Sequence, residues 1–183
     1  VRNPVIEVEI KFPLRDAKIE GKLKKLGARL FESERQDDAY FLAPDRDFSR
    51  TDEALRLRLA SGKKGASITY KGPKIDAQSK TRKEIKVNVD DAESAKEILL
   101  LLGYREAKKV VKDRKKYRKG GFIISVDKVH GLGNFIEIEA HGKEKRDVPR
   151  LREGAFKIAE NLGLKRSDST RVSYLEMLIE KGR

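Results

Sequence analysis

The 183 residues contain no cysteine and no tryptophan, one methionine, and two histidines, His130 and His141. Without cysteine there is no disulfide framework, no thiolate nucleophile and no thiolate-ligated metal centre. Two histidines make a His-rich zinc site a poor expectation. No apolar run reaches the ~20 residues that a membrane-crossing helix needs. The N-terminal stretch alternates polar and apolar residues, unlike the apolar core of a signal peptide. A cytoplasmic protein with no membrane partner is expected. Aromatics are sparse, at 7%, and do not interleave the basic segments. That removes the usual base-stacking platform, so no nucleic acid is expected as partner.

Charge is abundant. Charged residues make up 40% of the chain against 38% hydrophobic, and the formal net charge is +13. An excess of that size implies an anionic partner. The length suits a single domain spanning 1–183 with a lean core.

Side chains alternate between faces along a strand. Residues 5–12 read Val-Ile-Glu-Val-Glu-Ile-Lys-Phe, which puts Ile6, Val8, Ile10 and Phe12 on one face and Glu7, Glu9 and Lys11 on the other. Further strands are expected at about 38–43, 54–60, 66–72, 81–89, 110–118, 121–129 and 134–141. Almost every one has one apolar and one ionic face. Arg56 and Arg58 oppose three leucines, Lys71 and Thr69 oppose Ile68 and Tyr70, and Arg82, Glu84 and Lys86 oppose Ile85 and Val87. Lys112, Arg114, Lys116 and Arg118 align, as do Ser125 and Asp127, and Glu137 and Glu139.

Helices are expected at 16–26, 91–102, 149–162 and 168–181, the first three ending in Leu-Gly. The halves 1–89 and 90–183 look loosely alike, and residues 61–66 and 73–81 read as mobile loops. The pattern predicts an α+β fold. Eight antiparallel strands curl around their ionic faces into a barrel or tunnel with a polar lumen, and helices flank the apolar outside. A flat sheet with a salt-bridged outer face is the plainer alternative.

In such a lumen, Glu7, Glu9, Asp127, Glu137 and Glu139 would gather if the first and last strands meet. Crowded carboxylates call for a hard cation, and Mg²⁺ or Mn²⁺ suits oxygen ligands. Lys11, Arg56, Arg58, Lys71, Arg82, Lys112 and Arg114 would form a cationic wall suited to linked phosphates.

Ordered motifs support this reading. They are Glu7-x-Glu9-x-Lys11, residues 36–41 (Gln-Asp-Asp-Ala-Tyr-Phe), Leu55-Arg56-Leu57-Arg58, Thr69-Tyr70-Lys71-Gly72-Pro73, Arg82-Lys83-Glu84, Lys112-x-Arg114, Asp127 through Glu139, and Ser173-Tyr174-Leu175-Glu176. Together they resemble the CYTH superfamily, which joins class IV adenylyl cyclases and thiamine triphosphatases and is related to triphosphate tunnel metalloenzymes. The tail and the Gly131-Leu132-Gly133 segment look most like the cyclase members.

The resemblance implies an eight-stranded tunnel in which the basic residues above hold a triphosphate and the five acidic residues are metal ligands or their supports. It implies a nucleoside triphosphate or another triphosphate as partner and is compatible with a homodimer. It also makes Lys71 and Tyr40 catalytic candidates, because a lysine–tyrosine pair is proposed to activate water in hydrolytic members.

The activity expected is conversion of ATP to cyclic AMP and pyrophosphate. Hydrolysis of thiamine triphosphate, tripolyphosphate or a nucleoside triphosphate is the alternative, and a non-enzymatic polyanion binder is the third reading. Glu84 is open between orienting a lumen arginine and neutralising a cross-strand neighbour. Lys86, Lys116 and Arg118 read as rim charges, and His130 and His141 as a turn residue and an exposed strand end.

Overall fold

The computed structural model describes residues 5–182. Eight strands close into one barrel: β1 (Val5–Pro13), β2 (Arg29–Leu42), β3 (Ala54–Ala60), β4 (Ala66–Lys74), β5 (Arg82–Val89), β6 (Arg105–Lys119), β7 (Phe122–Val129) and β8 (Gly133–Gly142). Their order around the barrel is β1-β5-β4-β3-β2-β6-β7-β8, with every pairing antiparallel. Five helices flank it: α1 (Ile19–Lys25), α2 (Phe48–Thr51), α3 (Ala92–Leu101), α4 (Val148–Asn161) and α5 (Tyr174–Lys181).

The alternation found in the sequence explains the closure. Ile10 and Phe12 of β1, Ile124 of β7, and Ile136 and Ile138 of β8 face outward and are buried under α1 and α4, which contribute Leu23, Phe156, Ala159 and Leu162. Each such Leu, Ile or Phe contributes roughly 1.5–3 kcal/mol when fully buried. Phe12 and Phe156 meet edge-on, with centroids 6.5 Å apart. A second cluster, with Phe41, Leu55, Leu57 and Ala95, seats α3 on β2 and β3. A third sets Tyr174 of α5 against Val110, Val129 and Phe135. A flat sheet is thereby excluded.

The Gly120-Gly121 pair makes the expected tight hairpin, with Gly120 at φ +56°. Ser173 and Glu176 form a capping box that starts α5.

Four expectations need correction. β2 begins at Arg29 rather than 38, and β6 at Arg105 rather than 110. Their outer segments carry charge on both faces, so parity gave no apolar signal, and they are defined by pairing with each other. The helix expected over 168–181 starts at Tyr174. Before it, a 3-10 turn at Arg166–Asp168 and a bridge from Thr170 to Lys11 take up the chain. The two halves are not alike: five strands precede α3 and three follow it. Residues 75–81 are tied down by Arg152–Asp76 at 2.6 Å, by Arg171 donating to the Ser79 carbonyl, and by the buried Ser79–Thr81 hydroxyl pair.

Candidate active site

The ionic faces line a cavity of about 380 Å³ running through the barrel. Glu7, Glu9, Arg56, Arg58, Lys71, Arg82, Lys112, Arg114, Glu137 and Glu139 are on its wall. Lys11 and Asp127, also expected in the site, are buried behind that wall next to Tyr174.

β1 and β8 pair in register, with Glu9 opposite Glu139 and Lys11 opposite Glu137, so the first and last strands do bring the acidic residues together. Their partners differ. Asp127 accepts a two-pronged hydrogen bond from Arg114, 2.6 Å at Nε, and one from the Tyr174 hydroxyl at 2.9 Å. Glu137 also accepts from Arg114. Burial pushes the Glu137 carboxyl up, but Arg114, Lys80, Lys11 and Lys112 outweigh it and hold it well below the usual range. Glu9 is held by Lys80 at 2.6 Å.

Glu139 has no ion-pair partner among the described residues. A Glu7 oxygen, a Glu139 oxygen and a His141 ring nitrogen all lie within 4.8 Å of one another. Enclosure in the barrel, then the Glu7 charge, pushes the Glu139 carboxyl up to about 8. Burial also raises Glu7, against the pull of Lys71. Two under-compensated carboxylates and an imidazole within one ion's reach fit a divalent cation, and the mixed oxygen–nitrogen set suits Mn²⁺ at least as well as Mg²⁺.

The cations converge on Asp38 of β2, which is fully buried. Arg58 grips it with both fork arms, at 2.5 and 2.7 Å, and Lys112 reaches it at 2.9 Å. Arg56 stands 3.9 Å away. Although burial pushes the Asp38 carboxyl up, Lys112, Arg56 and Arg58 together hold it well below the usual range.

Lys11 and Lys112 have too few anions. Burial takes both down to about 7, helped by Lys80 for Lys11 and by Arg58 and Arg114 for Lys112. Among the described residues the Lys11 ammonium has no hydrogen-bond acceptor, and it lies 4.1 Å from the Tyr174 ring centroid, a cation–π contact.

Lys71 pairs with Glu84, directly across the ladder, and with Glu7 at 3.3 Å. Glu84 thus neutralises a cross-strand neighbour. Burial lowers the Lys71 pKa, but Glu7 and Glu84 more than restore it, so Lys71 is a firm ammonium. Tyr40 sits across from Arg56 and lines the cavity. Lys116 is held by Glu32 and Glu34, Lys86 is exposed at the cavity edge, and Arg118 turns out to stack on Phe31.

Several residues were missed. Lys80 comes from the segment read as a loop. Asp38 lies in a quoted motif but was given no role. His141 is exposed as expected, yet it joins Glu7 and Glu139. Only the parity it shares with Glu139 could have pointed to it.

The CYTH domain family matches residues 5–174. A protein of Methanocaldococcus jannaschii, MJ0240, provisionally named an adenylate cyclase, is 41% identical over 174 residues, covering 94% of this chain and 98% of that one. The adenylate cyclase CyaB of Aeromonas hydrophila is 29% identical over 172 residues, 92% of this chain and 86% of its own. The solved PH1819 protein of Pyrococcus horikoshii OT3 superposes with a TM-score of 0.89 at 44% identity, covering 96% of this chain and 99% of that structure. This chain belongs to the CYTH domain family.

Proposed function

We propose that the protein is a divalent-metal-dependent enzyme acting on a triphosphate, and that its reaction is the conversion of ATP to cyclic AMP and pyrophosphate. The observation that carries the reading is the pairing, around one cavity, of two under-compensated carboxylates and an imidazole with a cationic wall short of anions. A pure polyanion binder has no use for Glu7 and Glu139 left crowded together. The name of the CyaB relative favours cyclisation over hydrolysis.

In this reading Arg56, Arg58, Arg82, Lys112 and Arg114 bind phosphate oxygens, arginines in forked fashion and Lys112 as a point charge. Lys11 and Lys80 add positive charge beside them. Glu7 and Glu139, with His141 and with Glu9 and Glu137 adjoining, would hold the ion. When bound, it supplies Lewis acidity at phosphoryl oxygen. The ribose 3′-hydroxyl attacks the α-phosphorus, its proton passes to solvent water, and the α–β bridging bond breaks to release pyrophosphate. The cationic wall stabilises the charge that builds on the leaving group. Lys71, kept protonated, acts there as a charge rather than as a base.

Incubation with ATP and Mn²⁺ or Mg²⁺, with products separated by chromatography and mass, tests the reaction. Cyclic AMP with pyrophosphate is expected. ADP with orthophosphate would replace cyclisation by hydrolysis, and no product from ATP, thiamine triphosphate or tripolyphosphate would overturn the enzyme reading.

The lysines give a second test. Lys11 and Lys112 lose their protons near pH 7 in the free barrel, far below the ordinary 10.5. A bound polyanion favours the ammonium form, so binding must take up protons above pH 7. Calorimetric titration with tripolyphosphate at pH 8.5, in two buffers of different ionisation heat, should show net uptake of one to about two protons. At pH 5.5 both lysines are already charged, and their uptake vanishes. Absence of uptake at pH 8.5 would remove these lysines from the phosphate site.

A further inference from the structure

The chain's own cations have claimed most of the acidic residues gathered in the barrel. Arg114 takes Asp127 and Glu137, Lys71 stands 3.3 Å from Glu7, and Lys80 stands 2.6 Å from Glu9. Arg114 and Lys71 are strand residues that parity turns inward. Lys80 is not. It belongs to residues 75–81, the connection between β4 and β5, where no strand pattern directs a side chain to the lumen.

That connection is built around Lys80. The lysine docks on Glu9 twice: its backbone N–H donates to the Glu9 carbonyl at 2.9 Å, and its ammonium donates to the Glu9 carboxylate at 2.6 Å. The flanking hydroxyls of Ser79 and Thr81 are buried against each other, and Ser79 donates to Asp76 at 2.6 Å. Asp76 is held in turn by Arg152 of α4 at 2.6 Å, and the Ser79 carbonyl accepts from Arg171 at 3.2 Å. The Ile75 amide closes the loop on the Thr81 carbonyl at 2.8 Å. Two arginines from outside the barrel thus brace one short polar loop, and the bracing sets a lysine into the acidic cluster. The Lys80 side chain is 13% exposed and that of Glu9 7%. A solvated surface pair contributes little to stability and calls for no such support.

The place that Lys80 takes gives it a role. Glu9 lies opposite Glu139 in the β1–β8 register, and Glu137 is the next inward-facing residue along β8. Two-ion phosphoryl-transfer sites hold their ions roughly 3.5–4 Å apart in a shared set of ligands. With one ion at Glu7, Glu139 and His141, the carboxylates of β1 and β8 left for another are Glu9 and Glu137. Glu9 carries the Lys80 ammonium, Glu137 carries the Arg114 guanidinium, and Glu84 across on β5 is taken by Lys71. An ammonium in contact with a carboxylate strongly repels a doubly charged ion from the same spot.

We propose that Lys80 is a built-in substitute for a second metal ion: it occupies the position beside Glu9 that a second divalent cation would take, so the site holds one ion per chain. This rests on the reading of Glu7, Glu139 and His141 as holders of an ion and adds how many ions that reading involves. Glu9 and Glu137 can support the one ion, but a second would need them as its own ligands. Lys80 gives the triphosphate a positive charge that no chelator removes and that does not vary with metal concentration.

The test counts bound Mn²⁺ by electron paramagnetic resonance, on the full chain without nucleotide. Wild-type protein should bind one Mn²⁺ per chain. Lys80→Met keeps the reach of the side chain and the backbone bond to Glu9 but loses the charge. It should bind two, with the coupled spectrum of ions about 3.5–4 Å apart. Lys80→Gln should behave in the same way, and Lys80→Arg should stay at one. Circular dichroism verifies the fold, and the wild-type count is a test that needs no variant. Two ions on wild-type protein, or one on a folded neutral variant, would overturn the assignment. No bound Mn²⁺ on any of these proteins would instead overturn the metal-holding role of Glu7, Glu139 and His141 on which it rests.

Discussion

Glu139→Gln is expected to lower metal-dependent turnover roughly a hundred- to a thousandfold, the scale of losing one centrally placed electrostatic group, while making the metal-free barrel more stable. Both effects have the same origin. Glu139 has no ion-pair partner among the described residues, and its carboxyl is raised to about 8 by enclosure and by Glu7. An acid whose pKa is higher in the folded state holds a proton that the unfolded chain releases. Its contribution to stability therefore falls as pH climbs from the ordinary 4.5 towards 8. Glutamine has the same shape and no charge, so the variant escapes that loss. Thermal melts in EDTA should put the variant above wild type at pH 8 and level with it at pH 4. A variant that melts lower at pH 8, or that keeps full turnover with Mn²⁺, would show that Glu139 is a structural residue and not a ligand. Glu9→Gln and Glu137→Gln should abolish metal-dependent turnover, but Glu137→Gln leaves Arg114 with only Asp127, so its melt should not rise.

The barrel was legible because its strands sort charge so cleanly by parity. Glu7, Glu9 and Lys11 against Ile6, Val8 and Ile10 already state which face is enclosed, and the register of β1 with β8 then follows from burying the apolar set. What parity could not supply were residues that reach the lumen by another route. Lys80 enters from a segment with no strand pattern, held in place by Asp76, Ser79 and Arg152, which are far from it in kind and, for Arg152, in sequence. Ala107 turns inward only because a bulge reverses the alternation, and a bulge leaves no periodic signal. Tyr174 sits at the start of a helix whose apolar residues looked like ordinary packing, yet its hydroxyl reaches Asp127 and its ring covers Lys11. The outer part of β2 was missed for the opposite reason. Glu32 and Glu34 face Lys116 of the neighbouring strand and Lys63 of the β3–β4 turn instead of a core, so nothing marked the segment as a strand. The acidic cluster was likewise readable as a group, but not the division of labour within it, because that depends on which carboxylates Arg114 and Lys80 have already claimed.

That division makes Asp38 the residue whose loss should cost the fold most and help the ligand most. Asp38→Asn is expected to destabilise the barrel by about 3–5 kcal/mol, the usual scale for breaking a buried ion pair from one side. The side chain has no exposed surface, and among the described residues it is the one ion-pair partner of Arg58, Lys112 and the nearby Arg56. Asparagine keeps the shape and one acceptor but removes the charge that offsets the three cations. A domain of this size has only about 5–15 kcal/mol to lose, so the midpoint of thermal unfolding should fall by many degrees. Asp38 also occupies the guanidinium and ammonium groups proposed to hold the triphosphate, and so acts as an internal anion competing with the substrate. Its removal should therefore tighten polyanion binding. Added tripolyphosphate stabilises the folded state by mass action, about 2.7 kcal/mol at a hundred times its dissociation constant. At equal ligand concentration the variant should regain more stability than wild type gains. Melts of both proteins across a tripolyphosphate series separate the two claims. An unchanged midpoint without ligand would show that the three cations need no internal anion. A smaller ligand-induced gain in Asp38→Asn than in wild type would show that Arg56, Arg58 and Lys112 do not hold the phosphates.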